Sequence, residues 1–219
     1  MACGRWDCSW CQWRKKAAAE LVIRVGLERA WARGERVRLM TLTDGPAGAM
    51  TVSDFYTAWN RLRMRLKKAG LLREFAAVLE VQKRGALHLH VLQTGKFIEK
   101  NRLKGFARSA GFGRCTDIRE IKSDAGEGAL SSASYSAKQM AGYLSKQNAE
   151  QLAAKTNKRR RPLRVSRGWG LSLTEATQAL KAEWLEEQDD SADKGPWALV
   201  RVLTGGDLLV RLDGEWAPA

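Results

Sequence analysis

The sequence is poor in histidine, and long apolar runs are missing from it. Only two histidines occur in 219 residues, against 38 lysines and arginines. No run of about 18 apolar residues is present, so we expect no transmembrane helix. The N-terminus lacks the apolar core of a secretory signal. The phosphate-binding pattern G-x-x-x-x-G-K-[ST] is also missing, so we expect no ATP use. These absences predict a cytoplasmic protein without a membrane partner.

Positive charge is what the sequence has in excess, with a formal net charge of +14. Such a surplus favours a polyanionic partner, with nucleic acid ahead of an anionic membrane. Hydrophobic residues make up 44% of the chain, which suffices for a packed core. The alternative for each cluster of basic residues is a solvent-exposed helix face that contacts no nucleic acid. We expect phosphate contacts from Arg14, Lys15, Lys16, Lys83, Arg84, Arg159, Arg160 and Arg161.

The apolar periodicity and the turn residues predict alternating helices and strands. We divide the chain into a Cys/Trp/basic segment at 1–16, a main domain at 17–188, a linker at 189–196 and a C-terminal β-hairpin at 197–219. Trp59 and Trp184 are expected to pack in the core. Predicted helices span 17–34, 53–69, 99–110, 136–153 and 174–188, and predicted strands span 37–43, 75–81, 87–92 and 115–121.

Both histidines fall in one short motif, as His88 and His90. Residues i and i+2 of a strand point to the same side, so the two imidazoles can share a metal ion. In a hairpin that turns at 82–85, Glu80 lies on the partner strand near the pair. This two-histidine, one-carboxylate set suits Mn²⁺, and also Mg²⁺ where phosphate and water add oxygens. Two unrelated histidines on a half-buried strand are the alternative.

A candidate nucleophile follows in a predicted helix. Tyr143 and Lys146 are three residues apart and share a helix face, and Tyr135 and Lys138 repeat that spacing. A tyrosine oxygen can attack a phosphodiester when a metal polarises the phosphate. Its pKa is ordinarily about 10, so a metal or a lysine must help it to lose its proton. Core packing is the alternative for each tyrosine, and we favour it over a second nucleophile for Tyr135.

The order of these motifs resembles the HUH endonucleases of the rolling-circle replication initiator (Rep) type. The first motif corresponds to Met40-Thr41-Leu42-Thr43, the second to 80–90 and the third to 143–146. The segments 111–121 and 165–169 resemble the same family. The similarity covers roughly residues 35–170. Relaxases, a related group, place the tyrosine before the histidines, so the order here favours a Rep protein.

The resemblance implies an α+β fold, in which a central antiparallel sheet is flanked by helices as in the RNA-recognition fold. It implies a metal-dependent enzyme that nicks and joins single-stranded DNA at an origin hairpin in a bacterial host. The tyrosine, here Tyr143, would attack the scissile phosphate and leave a free 3′-hydroxyl and a 5′-phosphotyrosine link. A host helicase and a polymerase are the expected partners. A non-catalytic nucleic-acid-binding protein and an HUH transposase are the alternatives.

The cysteines indicate a second, structural metal. Cys3, Cys8 and Cys11 lie close together in the sequence, and thiolates are good Zn²⁺ ligands. Cys115 or Asp7 would be the fourth ligand. N-terminal cysteine clusters recur in related phage Rep proteins, which favours zinc. The alternative is a set of thiols without a metal at a flexible terminus.

Overall fold

The computed structural model describes residues 9–44, 50–82, 85–113, 116–122, 128–145, 162–189, 197–202, 206–211 and 216–217. The described helices are α1 (Ser9–Ala32), α2 (Val52–Lys68), α3 (Lys100–Ala110), α4 (Gly128–Ser145) and α5 (Leu173–Asp189). The described strands are β1 (Val37–Thr43), β2 (Phe75–Val81), β3 (Leu87–Thr94), β4 (Thr116–Ile121), β5 (Leu163–Val165), β6 (Trp197–Val202), β7 (Gly206–Arg211) and β8 (Trp216–Ala217).

Strands β1 to β5 form one antiparallel sheet in the order β4-β1-β3-β2-β5. This confirms the expected α+β class with a central antiparallel sheet flanked by helices. Strands β2 and β3 form the predicted hairpin, whose turn is closed by the Gln82 N–H, which donates to the Ala86 carbonyl at 2.9 Å. Gly85 in this turn has φ +79°, a conformation that residues with a side chain rarely adopt.

The sheet buries apolar side chains on both faces, because successive residues of a strand point to opposite sides. Met40 and Leu79 belong to one core cluster with the buried residues of α2 and α3. Leu39 and Val78, one position away on the same strands, belong to the other cluster with residues of α1, α4 and α5. The molecule therefore has three layers, and the sheet separates two distinct helical faces.

Helix α2 has the predicted amphipathic pattern, with apolar residues inward and basic residues exposed. Trp59 is buried at 1% exposure, which confirms its predicted place in the core. The N-cap is Thr51 and not Ser53, because the Thr51 hydroxyl oxygen accepts a hydrogen bond from the Asp54 N–H at 3.2 Å. The helix therefore begins slightly earlier than predicted.

Two helices begin about eight residues earlier than the periodicity predicts, and they contact each other. Helix α1 begins at Ser9, so residues 9–16 of the predicted N-terminal segment are helical. Helix α4 begins at Gly128, whereas the predicted helix begins at 136. Ala18 and Ala133 are fully buried in the shared cluster. Small side chains allow close packing, and tertiary contact then overrides a weak helical signal.

The C-terminal strands form a second antiparallel sheet in the order β6-β7-β8. The turn of the predicted hairpin, at 203–205, lies outside the described residues, so the hairpin stays a prediction. The division of the chain into segments also stays a prediction. Among the helices that the structure describes, none combines the length and the apolar character needed to cross a bilayer.

Candidate metal centre

The hairpin of β2 and β3 brings together the three residues that the sequence predicts as metal ligands. Glu80 and His88 are directly paired across the two strands, and His90 follows two residues later on β3. Glu80 is two positions from Val78 on β2, and both histidines are an even number of positions from Leu92 on β3. Val78 and Leu92 pack against α1 and α4. Because side chains alternate along a strand, the group lies on the α1/α4 face of the sheet.

The distances within this group suit a single cation. Oε2 of Glu80 lies 2.8 Å from Nε2 of His90, and one donor atom from each residue lies within 4.8 Å of the others. Two ligands of a Mg²⁺ ion, each about 2.1 Å from it, are at most about 4.2 Å apart. Shifts of a few tenths of an ångström, about the size allowed by side-chain torsions, close that difference. The group therefore fits a metal ion of this size.

The remaining ring nitrogens of the two histidines have polar partners. Nδ1 of His90 lies 3.4 Å from the hydroxyl oxygen of Thr41 on β1. Nδ1 of His88 lies 3.2 Å from the side-chain amide of Gln82. Partners of this kind fix the orientation of a ligating imidazole and select which nitrogen carries the proton. For His90 this leaves Nε2, which lies 2.8 Å from the Glu80 carboxylate, as the atom directed to a shared cation.

Burial keeps both imidazoles in the neutral form that binds metals. Burial lowers the pKa of His90 below its usual value, and the positive charges of His88 and Arg119 lower it further, against the opposing effect of Glu80. Burial also lowers the pKa of His88, while the negative charges of Glu80 and Asp44 raise it. The net direction is downward for both histidines, so neither needs to lose a proton at neutral pH before metal binding.

One acidic residue near the site was not predicted. Asp44 directly follows β1, is 5% exposed, and its carboxylate accepts a hydrogen bond from the Leu87 N–H at 3.3 Å. The Asp44 N–H donates in turn to the Leu87 carbonyl at 3.0 Å. This carboxylate holds the start of β3 next to His88. The sequence indicates Asp44 only as a turn residue, and its place at the end of the Thr41-Leu42-Thr43 motif is the signal that could have identified it.

Helix α4 lies on the same face of the sheet as the metal group. Its buried residues Ala137 and Met140 share a cluster with Ala76 and Val78 of β2, the strand that carries Glu80. Tyr143 belongs to this helix, and the structure describes its backbone but not its side chain. Lys146 lies outside the described residues. The helix that bears the candidate nucleophile is thus placed over the correct face.

Tyr135 is not a core residue, so the favoured interpretation of this tyrosine is wrong. It is 65% exposed, and its hydroxyl oxygen accepts a hydrogen bond from the Gln139 side chain at 2.7 Å. Ala133, Ala137 and Ala141 form the buried stripe of α4 instead. In the described part of this helix, small residues face the core, and the Tyr135 ring faces outward.

The other predicted site residues are only partly described. Cys11 lies in α1 and is 3% exposed, so it is not part of a flexible terminus. Arg14, Lys15 and Lys16 lie on the same helix and are half-buried, with the Arg14 guanidinium 5.7 Å from the Trp13 ring. Within the described ranges, the Glu80 group is the one that could hold a metal. Cys3, Cys8, Cys115, Lys83, Arg84, Arg159, Arg160 and Arg161 lie outside the described residues, as does the side chain of Trp184.

A comparison with protein families gives a match that covers strands β1 to β4 and the candidate site. A family model described as replication-associated protein ORF2 matches residues 37–148, just over half of the 219 residues. The matched range begins with β1 and includes the metal group and the whole of α4. No curated protein and no solved structure gives a significant match.

Proposed function

This chain belongs to the replication-associated protein ORF2 family, and on that premise we propose that it initiates rolling-circle replication by nicking and rejoining single-stranded DNA. The observation that carries the proposal is the group of Glu80, His88 and His90, which lies on the sheet face covered by α4. Membership of the family supports a replication initiator. The metal group and the tyrosine-bearing helix support HUH-type nuclease chemistry.

We assign Glu80, His88 and His90 as ligands of Mg²⁺ or Mn²⁺. A cation at this site would supply positive charge that polarises the scissile phosphate. Two imidazoles and one carboxylate leave coordination positions open to oxygen donors, which suits a phosphodiester substrate. The neutral state of both histidines leaves the carboxylate as the single charged ligand, so the centre keeps a net positive charge for an anionic substrate.

In the proposed reaction, the Tyr143 oxygen loses its proton and forms a bond to the scissile phosphorus. The bond from phosphorus to the 3′ oxygen breaks, and that oxygen takes up a proton to become a free 3′-hydroxyl. The 5′ phosphate stays linked to Tyr143, so the energy of the phosphodiester is conserved and the reversal needs no ATP. We assign Lys146 to the stabilisation of negative charge on the phosphate or on the tyrosine oxygen.

The proposed substrate is an origin hairpin with an unpaired strand at the nick. The net charge of +14 supports a polyanionic ligand. The free 3′-hydroxyl would prime synthesis by a host polymerase, and the displaced strand would require a host helicase. Structural Zn²⁺ on the cysteines remains part of the proposal.

The test is the formation of a covalent adduct. The protein is incubated with labelled single-stranded oligonucleotides that tile its own replicon, with Mn²⁺ or Mg²⁺, and run on a denaturing gel. We expect a slow-migrating adduct with the wild-type protein and none with Tyr143→Phe. The matched control is Tyr56→Phe, because Tyr56 is buried in α2 on the opposite face of the sheet.

Other outcomes contradict parts of the proposal. An unchanged adduct in Tyr143→Phe, together with its loss in Tyr135→Phe, would transfer the role of nucleophile to Tyr135. No adduct with any divalent metal, alongside intact binding of DNA, would favour a non-catalytic nucleic-acid-binding protein.

A variant of the metal site tests its role in catalysis. If His88→Ala still binds DNA but forms no adduct, this result supports a catalytic role for the metal site.

A further inference from the structure

A cavity of about 410 Å³ lies between α4 and the β1/β4 edge of the sheet. Its polar lining includes Arg119 and Lys122 of the β4 segment and Gln139 of α4, and its wall includes the aromatic ring of Tyr135. Cavities of about 300 Å³ and larger hold small organic ligands. The proposed function uses neither this cavity nor the exposed ring.

The chemistry of the lining matches an unpaired nucleotide. An aromatic ring that is 65% exposed is available for stacking on a base. Two cations beside it suit the phosphates that flank the base. The carboxylate of Glu120, which would repel a phosphate, lies 3.9 Å from the Arg36 guanidinium as an ion pair. Amide groups such as that of Gln139 can contact the polar edge of a base.

The cavity and the metal group lie on the same face of the sheet. Arg119 pairs with Leu39 on β1, and Leu39 packs on the α1/α4 face. Two residues further along β1, Thr41 pairs with His90 on β3. Arg119 and His90 are thus two strands apart sideways and two residues apart along the strands, which corresponds to about 12 Å. A strand of DNA can reach from one to the other within one or two nucleotides.

From these observations, and resting on the proposed function, we infer that the cavity is a subsite for one unpaired base beside the scissile phosphate. Tyr135 stacks on the base, and Arg119 and Lys122 contact its flanking phosphates. Stacking on a base would explain why the Tyr135 ring is exposed, whereas a role in core packing would not. The subsite would select single strands over duplexes, because a paired base has no free face to offer.

The test measures binding without catalysis. A fluorescein-labelled dT₁₂ oligonucleotide is titrated with the full-length protein in EDTA, and fluorescence anisotropy gives the dissociation constant. We expect Tyr135→Ala to weaken binding about fivefold or more, because removal of one aromatic stacking partner has at least that effect. Tyr135→Phe keeps the ring and should bind within about twofold of wild type.

The matched control is Phe97→Ala, which removes another exposed aromatic ring, at 70% exposure, that does not line the cavity. We expect its affinity to stay within about twofold of wild type. The inference is overturned if Tyr135→Ala binds as wild type, if Tyr135→Phe is as weak as Tyr135→Ala, or if Phe97→Ala loses as much. An equal loss for a duplex hairpin without unpaired bases would also overturn it.

The result does not depend on the nicking reaction. A Tyr135→Ala defect in EDTA supports the subsite even where the wild-type protein forms no covalent adduct, and that combination refutes only the proposed catalysis. An adduct with the wild-type protein, together with unchanged binding by Tyr135→Ala, refutes only the subsite. The two failures are therefore distinguishable.

Discussion

Thr41 and His90 face each other across β1 and β3, and the Thr41 hydroxyl oxygen lies 3.4 Å from Nδ1 of His90. On the other side of the ring, Nε2 lies 2.8 Å from the Glu80 carboxylate. A carboxylate can only accept, so without a metal the proton sits on Nε2 and is donated to Glu80. When Nε2 binds a cation, the neutral ring must carry its proton on Nδ1, where Thr41 accepts it.

Removal of the Thr41 hydroxyl should therefore weaken metal binding. We expect Thr41→Val to lower the affinity for Mn²⁺ about 10-fold or more, because it removes the hydroxyl that accepts the Nδ1 proton. Thr41→Ser keeps the acceptor and should stay close to wild type. Isothermal titration calorimetry with Mn²⁺ measures both variants. Equal affinity in Thr41→Val and wild type would show that this contact does not support the site.

The metal affinity should stay high at mildly acidic pH. Burial lowers the pKa of both His88 and His90 from the usual value of 6.5. Two ordinary imidazoles, each half protonated at pH 6.5, would reduce the affinity about fourfold relative to pH 8. Because burial lowers the pKa of both histidines, we expect the reduction at pH 6.5 to be smaller than about fourfold, with the steeper loss at lower pH. Calorimetry between pH 5 and 8 decides between these profiles, and a fourfold loss at pH 6.5 would contradict the prediction.

Burial of Glu20 in α1 should make stability fall as pH rises. Burial raises its pKa above 4.5, in spite of the nearby charges of Lys138, Lys16 and Arg24. The folded state therefore disfavours ionisation, and this penalty is absent below pH 4.5 and complete above the folded pKa. Relative to wild type, Glu20→Gln should gain unfolding free energy, measured by urea titration, as the pH rises from 4 to 8.

Glu175 provides a control of opposite sign for the same urea titrations. Its carboxylate accepts a hydrogen bond from the Ser172 N–H at 2.7 Å, and this bond is the main cause of its lowered pKa. The bond therefore stabilises the fold above pH 4.5 and is lost as pH falls through the folded value. Glu175→Gln should lose stability at neutral pH but not at low pH. The same pH trend in both variants would refute the assignment.

Gly26 marks a close contact between α1 and the segment after β5. A Cβ atom at this position would collide with the indole ring of Trp169, which is 1% exposed. We expect Gly26→Ala to lower the unfolding free energy by about 1–3 kcal/mol, because the buried ring cannot move aside without strain. The matched control is Gly105→Ala in α3, where the added Cβ meets nothing within 4 Å. That variant should gain about 0.5–1 kcal/mol, and equal effects of the two would contradict the prediction.

Those parts of the fold that depend on local signals could be predicted from the sequence. The hairpin of β2 and β3 combines two apolar runs with a short turn, and α2 repeats large apolar residues at helical spacing. The first turns of α1 and α4 have no such signal, and the buried residues near them, Ala18 and Ala133, are small. Their helical state depends on packing between segments about 100 residues apart in the chain.

The site likewise combines residues that local sequence signals predict with residues that only long-range strand pairing brings in. Glu80, His88 and His90 are close in sequence, and the period of two together with a tight turn sufficed to bring them together. Thr41 and Asp44 reach the site only because β1 pairs with β3, and each is more than 40 residues from its hydrogen-bond partner, His90 or Leu87. The order of the motifs identified β1 as part of the family pattern, but it did not show which strands pair with β1. Non-local pairing of this kind has no local sequence signal.

Strand β3 is the middle strand of the five-stranded sheet, with β1 on one side and β2 on the other. Its two histidines are thus attached to backbone whose amide groups are hydrogen-bonded to neighbouring strands in both directions. Such backbone opens only when much of the domain opens, so its amide hydrogens exchange with solvent slowly. A cation bound by these side chains would bind the folded state and not the unfolded chain. Its binding energy therefore adds to the stability of the whole domain, and thermal denaturation reports occupancy of the centre.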